Sequence, residues 1–118
     1  MQLLFGPLIV GEIHNSIFCD QTWSGTLTTS ANIKDTDTGR KLLAYKRFSE
    51  DWNARLKANQ QAPPDADEWN AWGHILKSPD WRIRKSHDGS LIHVNAPIFF
   101  KGGDFSCRPW EFFPESGW

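Results

Sequence analysis

The side chains of this sequence that could do chemistry are few and scattered: histidines at positions 14, 74, 87 and 93, and cysteines at 19 and 107. A zinc site draws on His, Cys and carboxylate groups at compact spacing. No C-x-x-C, no H-E-x-x-H and no paired Cys/His cluster occurs. Neither a metal nor a cofactor is therefore expected. His87 and His93 flank Asp88-Gly89 and face one another across a hairpin in one register, where Asp104 or Cys107 could complete a ligand set. Solvated turn and strand positions are the simpler account of both. His74 falls in the C-terminal half of a predicted helix, where a cation is mildly favoured.

Nucleophilic catalysis has equally little to build on. Cys19 and His14 are five residues apart, and on an extended strand such positions point to opposite faces. G-x-S-x-G, the P-loop and G-x-G-x-x-G are all absent. The carboxylate groupings Asp35/Asp37, Glu50/Asp51 and Asp65/Asp67/Glu68 lie in turns or helix starts, where capping explains them. A small hydrolase-like enzyme would have to assemble its polar site from His14, Asp20, His87, Asp88 and His93. The chain reads more readily as non-catalytic.

Aromatic surface is the dominant feature. Trp (7), Phe (8) and Tyr (1) make 14% of the 118 residues. Each Trp can bury on the order of 200 Å², and two or three would make a core for a domain this small. Trp52, Trp69 and Trp72 fall on apolar helical stripes, so packing accounts for them. Trp81 starts a strand and is expected in the core or at its rim. Trp23, Trp110 and Trp118 have no periodic context. Trp110, Phe112, Phe113 and Trp118 crowd the closing stretch "CRPWEFFPESGW". An exposed apolar patch there would mark an interaction site, because aromatic anchors dominate binding hot spots. These four residues, with Trp23, are the candidate binding residues for a protein partner or for self-association. A glycan-binding module is a further alternative, and it requires Trp rings exposed in parallel on one sheet face.

The rest of the composition narrows the classes. The length suits one domain spanning residues 1–118. With 39% hydrophobic and 23% charged residues, the chain is globular rather than disordered. Its net charge of −1, with basic residues dispersed, argues against nucleic acid as a partner. The opening "MQLLFGPLIVGEIH" lacks a positive n-region and is broken by Gly6-Pro7, so it does not read as a secretory signal. No stretch of ~18 apolar residues is present to span a membrane. A cytoplasmic location with two reduced thiols follows as the expectation. Size and charge are shared with many small bacterial immunity and accessory proteins, an analogy that no motif supports.

These residues must be positioned by short elements. "LLFGPLIV" and "GEIHNSIF" read as strands separated at Gly11, and "TWSGTLTT" as a third with Gly25 as a bulge. "KDTDTG" reads as a hairpin tip. Leu42, Tyr45, Phe48, Trp52 and Leu56 step by three and four, as one long helix would. Ser49 followed by Glu50 and Asp51 instead has the form of an N-cap and first turn, and Gly39 would be unfavourable inside a helix. A strand at 41–47 and a helix at about 50–59 is the expectation on that ground. A second helix starts at Asp65 after Pro63-Pro64, with Glu68 completing a capping-box pair, and ends near Lys77 before Pro79. "WRIRKSHDGSLIHV" is a hairpin with a turn at Asp88-Gly89. Pro97 marks an edge or strand start, Gly102-Gly103 another turn, and 105–108 a last strand. Strands, two helices, then strands predict the α+β class: an antiparallel sheet of about six or seven short strands with two short helices on one face.

Overall fold

A computed structural model of the chain describes residues 1–57 and 70–110. It is an α+β structure built on one antiparallel sheet. The strands are β1 (Gln2–Phe5), β2 (Leu8–Cys19), β3 (Thr22–Thr29), β4 (Trp81–Arg84), β5 (Leu91–His93), β6 (Ile98–Phe99) and β7 (Asp104–Cys107). Their order is β5-β4-β1-β2-β3-β7-β6. Among the described residues the α-helices referred to below are α1 (Asp37–Lys57) and the short α2 (Gly73–Leu76).

The two ends of that order belong to consecutive strands, and this curls the sheet. Val94, just past β5, bridges Pro109, just past β7, and Asn95 N donates to Arg108 O at 2.8 Å. The stretch 91–99 thus pairs first with β4 and then with β7, bringing the two sides together. Pro97 sits at the crossover and β6 starts directly after it, a place where a missing N–H costs no ladder bond. The interior so formed buries Leu3, Tyr45, Trp81, Ile83 and Val94 completely.

Three local expectations are corrected. The first apolar run turns back at Gly6-Pro7, pairing Phe5 with Leu8, and Gly11 lies inside β2 opposite Leu3. The stretch 41–47 is helical, not a strand, and continues through Ser49 as a single helix of 21 residues. "KDTDTG" is therefore no hairpin tip. It holds the end of a 3-10 turn (Ile33–Asp35) and the first turn of α1. Thr36 is the cap: its Oγ1 accepts from Gly39 N at 2.9 Å. Gly39 is required there because a Cβ would fall onto the carbonyl oxygen of Ile33. The close approach outweighs the ~1 kcal/mol that glycine costs in a helix.

Ser49 has the sequence of a cap and a different task. It is fully buried in mid-helix. Its Oγ accepts from Phe99 N at 2.8 Å and donates to Phe99 O at 3.2 Å. One turn earlier, Tyr45 Oη donates to Pro97 O at 2.8 Å; one turn later, Asn53 Nδ2 donates to Phe99 O at 3.3 Å. The i, i+4, i+8 spacing lays these three polar groups along the side of β6 that β7 does not use. An edge strand covered in this way has no free backbone to offer another chain.

α2 is tied in by Trp81, whose Nε1 donates to Ile75 O at 3.0 Å, and by Trp72, which meets the rings of Tyr45 and Phe48 at 5.8 and 5.7 Å. The predicted start of the second helix at Asp65, with Glu68 and Trp69, lies outside the described residues, as do positions 58–59 of the first. At the other hairpins the expectations hold in outline. β4 and β5 pair Arg82 with His93 and Arg84 with Leu91 around a loop that contains Asp88-Gly89. That loop is longer than a two-residue turn, since Gly89 N bonds back to Lys85 O. Gly102 and Gly103, at φ +95° and +91°, make the β6–β7 turn that only glycine enters easily. β7 begins at Asp104 and ends at Cys107.

Candidate functional site

Two features of the described structure stand out, an uncovered strand segment and a cavity. The first is the far half of β2. β1 covers β2 only as far as Glu12, with one further bond from Ile13 N to Met1 O. Beyond it, among the described residues, no strand pairs with His14–Cys19 on the side away from β3. The segment carries no charged residue between Glu12 and Asp20. Its apolar side chains face water: Ile17 is 61% exposed and Phe18 49%. Phe18 lies against Trp23 across the hairpin, centroids 4.8 Å apart. A bulge at Asn15–Ser16 interrupts the pairing with β3, Asn15 taking φ +54°. Gly25 lies opposite it, and a Cβ there would come 2.8 Å from His14 O. The glycine flagged in the sequence thus accommodates a bulge on the neighbouring strand.

The second place is a cavity of about 940 Å³ between α1, α2 and the chain that closes the sheet. Its walls include Tyr45, Leu76, Asn95, Ala96, Ile98 and Cys107. Burial pushes the Cys107 thiol up to about 12 and raises the Tyr45 phenol above its ordinary value. Both groups are neutral near pH 7. Asn95 is 4% exposed, and its side-chain Nδ2 and Oδ1 have no hydrogen-bond partner among the described residues.

The binding residues expected from sequence fall in different settings. Trp23 is half-buried, packed against the core and on Phe18. Trp110 is half-buried and stacks on His93, rings 4.5 Å apart and 5° from parallel. Phe112, Phe113 and Trp118 lie outside the described residues. Of the described tryptophans, none ranks among the exposed large apolar side chains; Phe18 and Phe100 are the exposed aromatics.

The polar set is dispersed. His14 sits on β2 opposite Thr26, and Asp20 in the β2–β3 turn. His87 and Asp88 are neighbours in an exposed loop, 3.4 Å apart. The Asp88 carboxyl is held below its usual range, chiefly by the backbone N–H of Ser90, an ordinary turn contact. His93 pairs with Arg82 rather than His87, so the two histidines do not face each other. Among the described residues, no three His, Cys, Asp or Glu side chains gather as a metal would need. Cys19 is exposed and Cys107 buried, and neither is in a disulfide. No described helix is long and apolar enough to cross a membrane.

Two features of these places escaped the sequence reading. The β2–β3 turn uses Asp20-Gln21 at φ +52° and +61°, without the Asn or Gly that announces such turns. The buried Asn95 had no signal beyond its alternation with Val94. No protein-family model matches the chain, and no curated protein or solved structure matches it either.

Proposed function

We propose that this chain is a non-catalytic binding domain that engages a protein partner through the open half of β2. The partner supplies an extended strand, and the one to which the edge is best suited is a second copy of the chain. The observation that carries this reading is the unequal treatment of the sheet's margins. β6 is covered by three side chains of α1, whereas His14–Cys19, among the described residues, meets no strand on the side away from β3, holds no Asp, Glu, Lys or Arg, and exposes Ile17 and Phe18. Monomeric proteins guard such an edge with charge, proline or a covering element. An antiparallel edge can always meet its own copy about a two-fold axis. Main-chain bonds then give affinity, and Ile17 and Phe18 give register.

Sedimentation velocity over a range of concentrations tests this. The wild type is expected to form dimers, and Ile17→Lys to remain monomeric with an unchanged circular dichroism spectrum. A wild type that stays monomeric up to roughly 1 mM refutes the reading, as does an Ile17→Lys variant that associates equally well. The aromatic residues near the C-terminus, Trp110, Phe112, Phe113 and Trp118, are proposed as further anchors for the same partner. Deleting residues 111–118 should then weaken association and leave the fold intact; a truncated chain that unfolds assigns them to the core.

A further inference from the structure

We infer that the cavity between α1, α2 and β7 is a binding site for an anionic amphiphile, a carboxylate on an apolar body, which lays its body against Leu76 and Ile98 and its charge beside Lys77 and Arg108. The volume, about 940 Å³, is that of a pocket for a small organic ligand. What such a molecule can touch is the part of the lining that keeps accessible surface. Leu76 is half-buried, and Ile98 is 43% exposed although it sits in a sheet. Ala96 adds a little at 8%. The Tyr45 hydroxyl and the Asn95 side-chain amide are closed off behind this wall, so neither takes part. The apolar stretch gains by being covered, because its hydration water is released.

The sign of the head group follows from the charges beside that stretch. Lys77 and Arg108 line the same cavity and are exposed. Among the described residues that line it there is no Asp or Glu. Lys77 is in no ion pair among the described residues. The field at the mouth is therefore positive, in a chain whose net charge is −1. An exposed lysine alone holds an anion weakly, because water and salt screen it. An apolar wall alone does not choose between head groups. Joined in one molecule, the two contacts select a negative charge on an apolar body.

Nuclear magnetic resonance titration of the full chain with octanoate, octan-1-ol and octylammonium varies the head group and keeps the body. Octanoate is expected to bind with a dissociation constant between roughly 0.1 and 5 mM and to shift the methyl signals of Leu76, Ala96 and Ile98. Octan-1-ol should bind about threefold more weakly and octylammonium more weakly still, and the differences should shrink at roughly 0.5 M salt. Lys77→Glu should reverse the order of octanoate and octylammonium and leave octan-1-ol unchanged. Lys77→Gln, which removes the charge without replacing it, should bring the three closer together. Lys77 is exposed, so both variants should melt as the wild type does. Equal binding of the three probes overturns the proposal, as does an order that Lys77→Glu leaves unchanged. No binding of octanoate at roughly 10 mM overturns it too. Shifts confined to Ile17 and Phe18 assign the contact to the open edge of β2 and overturn it as well. None of these results depends on whether β2 pairs with a second copy.

Discussion

Replacing Ser49 by alanine sets two effects against each other. Alanine is the better helix former, by about 0.5 kcal/mol, and Ser49 stands in the middle of α1. Were the residue exposed, the substitution would stabilise. Instead Ser49 is fully buried and holds both Phe99 N and Phe99 O. Phe99 O keeps a second donor, Asn53 Nδ2 at 3.3 Å. Phe99 N has no other partner among the described residues, so the variant leaves one N–H buried and unmet. That costs about 1–3 kcal/mol. The difference is a net loss of roughly 0.5–2.5 kcal/mol. With a urea slope of ~1–2 kcal/mol per molar for a chain this size, the midpoint should fall by about 1 M. Equilibrium urea unfolding followed by tryptophan fluorescence measures it. Tyr45→Phe, which deletes the bond to Pro97 O, should lose about 1 kcal/mol by the same assay. A Ser49→Ala protein as stable as the wild type, or more so, would refute the capped edge. It would also remove the contrast between margins on which the proposed interaction surface rests.

Three further outcomes are expected. Stability should fall in alkali. The folded protein keeps the Cys107 proton between pH 9.0 and about 12, while the unfolded chain releases it, so the contribution is intact below pH 9 and lost as pH rises. The slope is up to about 1.4 kcal/mol per pH unit, and Tyr45 adds to it above pH 10. Urea midpoints that do not move between pH 8 and 11 would contradict this burial. Gly39→Ala should destabilise by more than ~2 kcal/mol, through collision with Ile33 O, although helix propensity alone predicts a gain of about 1 kcal/mol; a higher melting temperature would exclude the close approach. Gln21→Gly should raise stability by about 0.5–1 kcal/mol by relieving the positive φ of +61° in the β2–β3 turn, which a shift of the thermal midpoint reads directly.

Much of the sheet was legible because alternation and turn residues are local signals. "TWSGTLTT" is β3 residue for residue, and "WRIR" is β4. The helix at 37–57 was misjudged for a reason that can be named. Leu42, Tyr45, Phe48 and Trp52 carried the right period. Gly39 and Ser49, however, are unfavourable in a helix taken alone, and each is there for a contact outside the helix. Gly39 yields to Ile33 O and Ser49 serves Phe99, fifty positions away. The histidines are dispersed along the sequence, and among the described residues no three His, Cys, Asp or Glu side chains gather.

The sequence by itself determined the class: an antiparallel sheet with helices, formed by runs of β-branched and aromatic residues broken at glycine and proline. Periodicity also marked which faces are apolar. Only the tertiary structure decided where surface was left over. The curling of the sheet through Val94 and Pro109, the covering of β6 by α1 and the exposure of β2 beyond Glu12 are pairings between segments far apart in the chain. Such pairings are fixed by the closing of long loops around a shared core. A local reading of side-chain period carries no term for that.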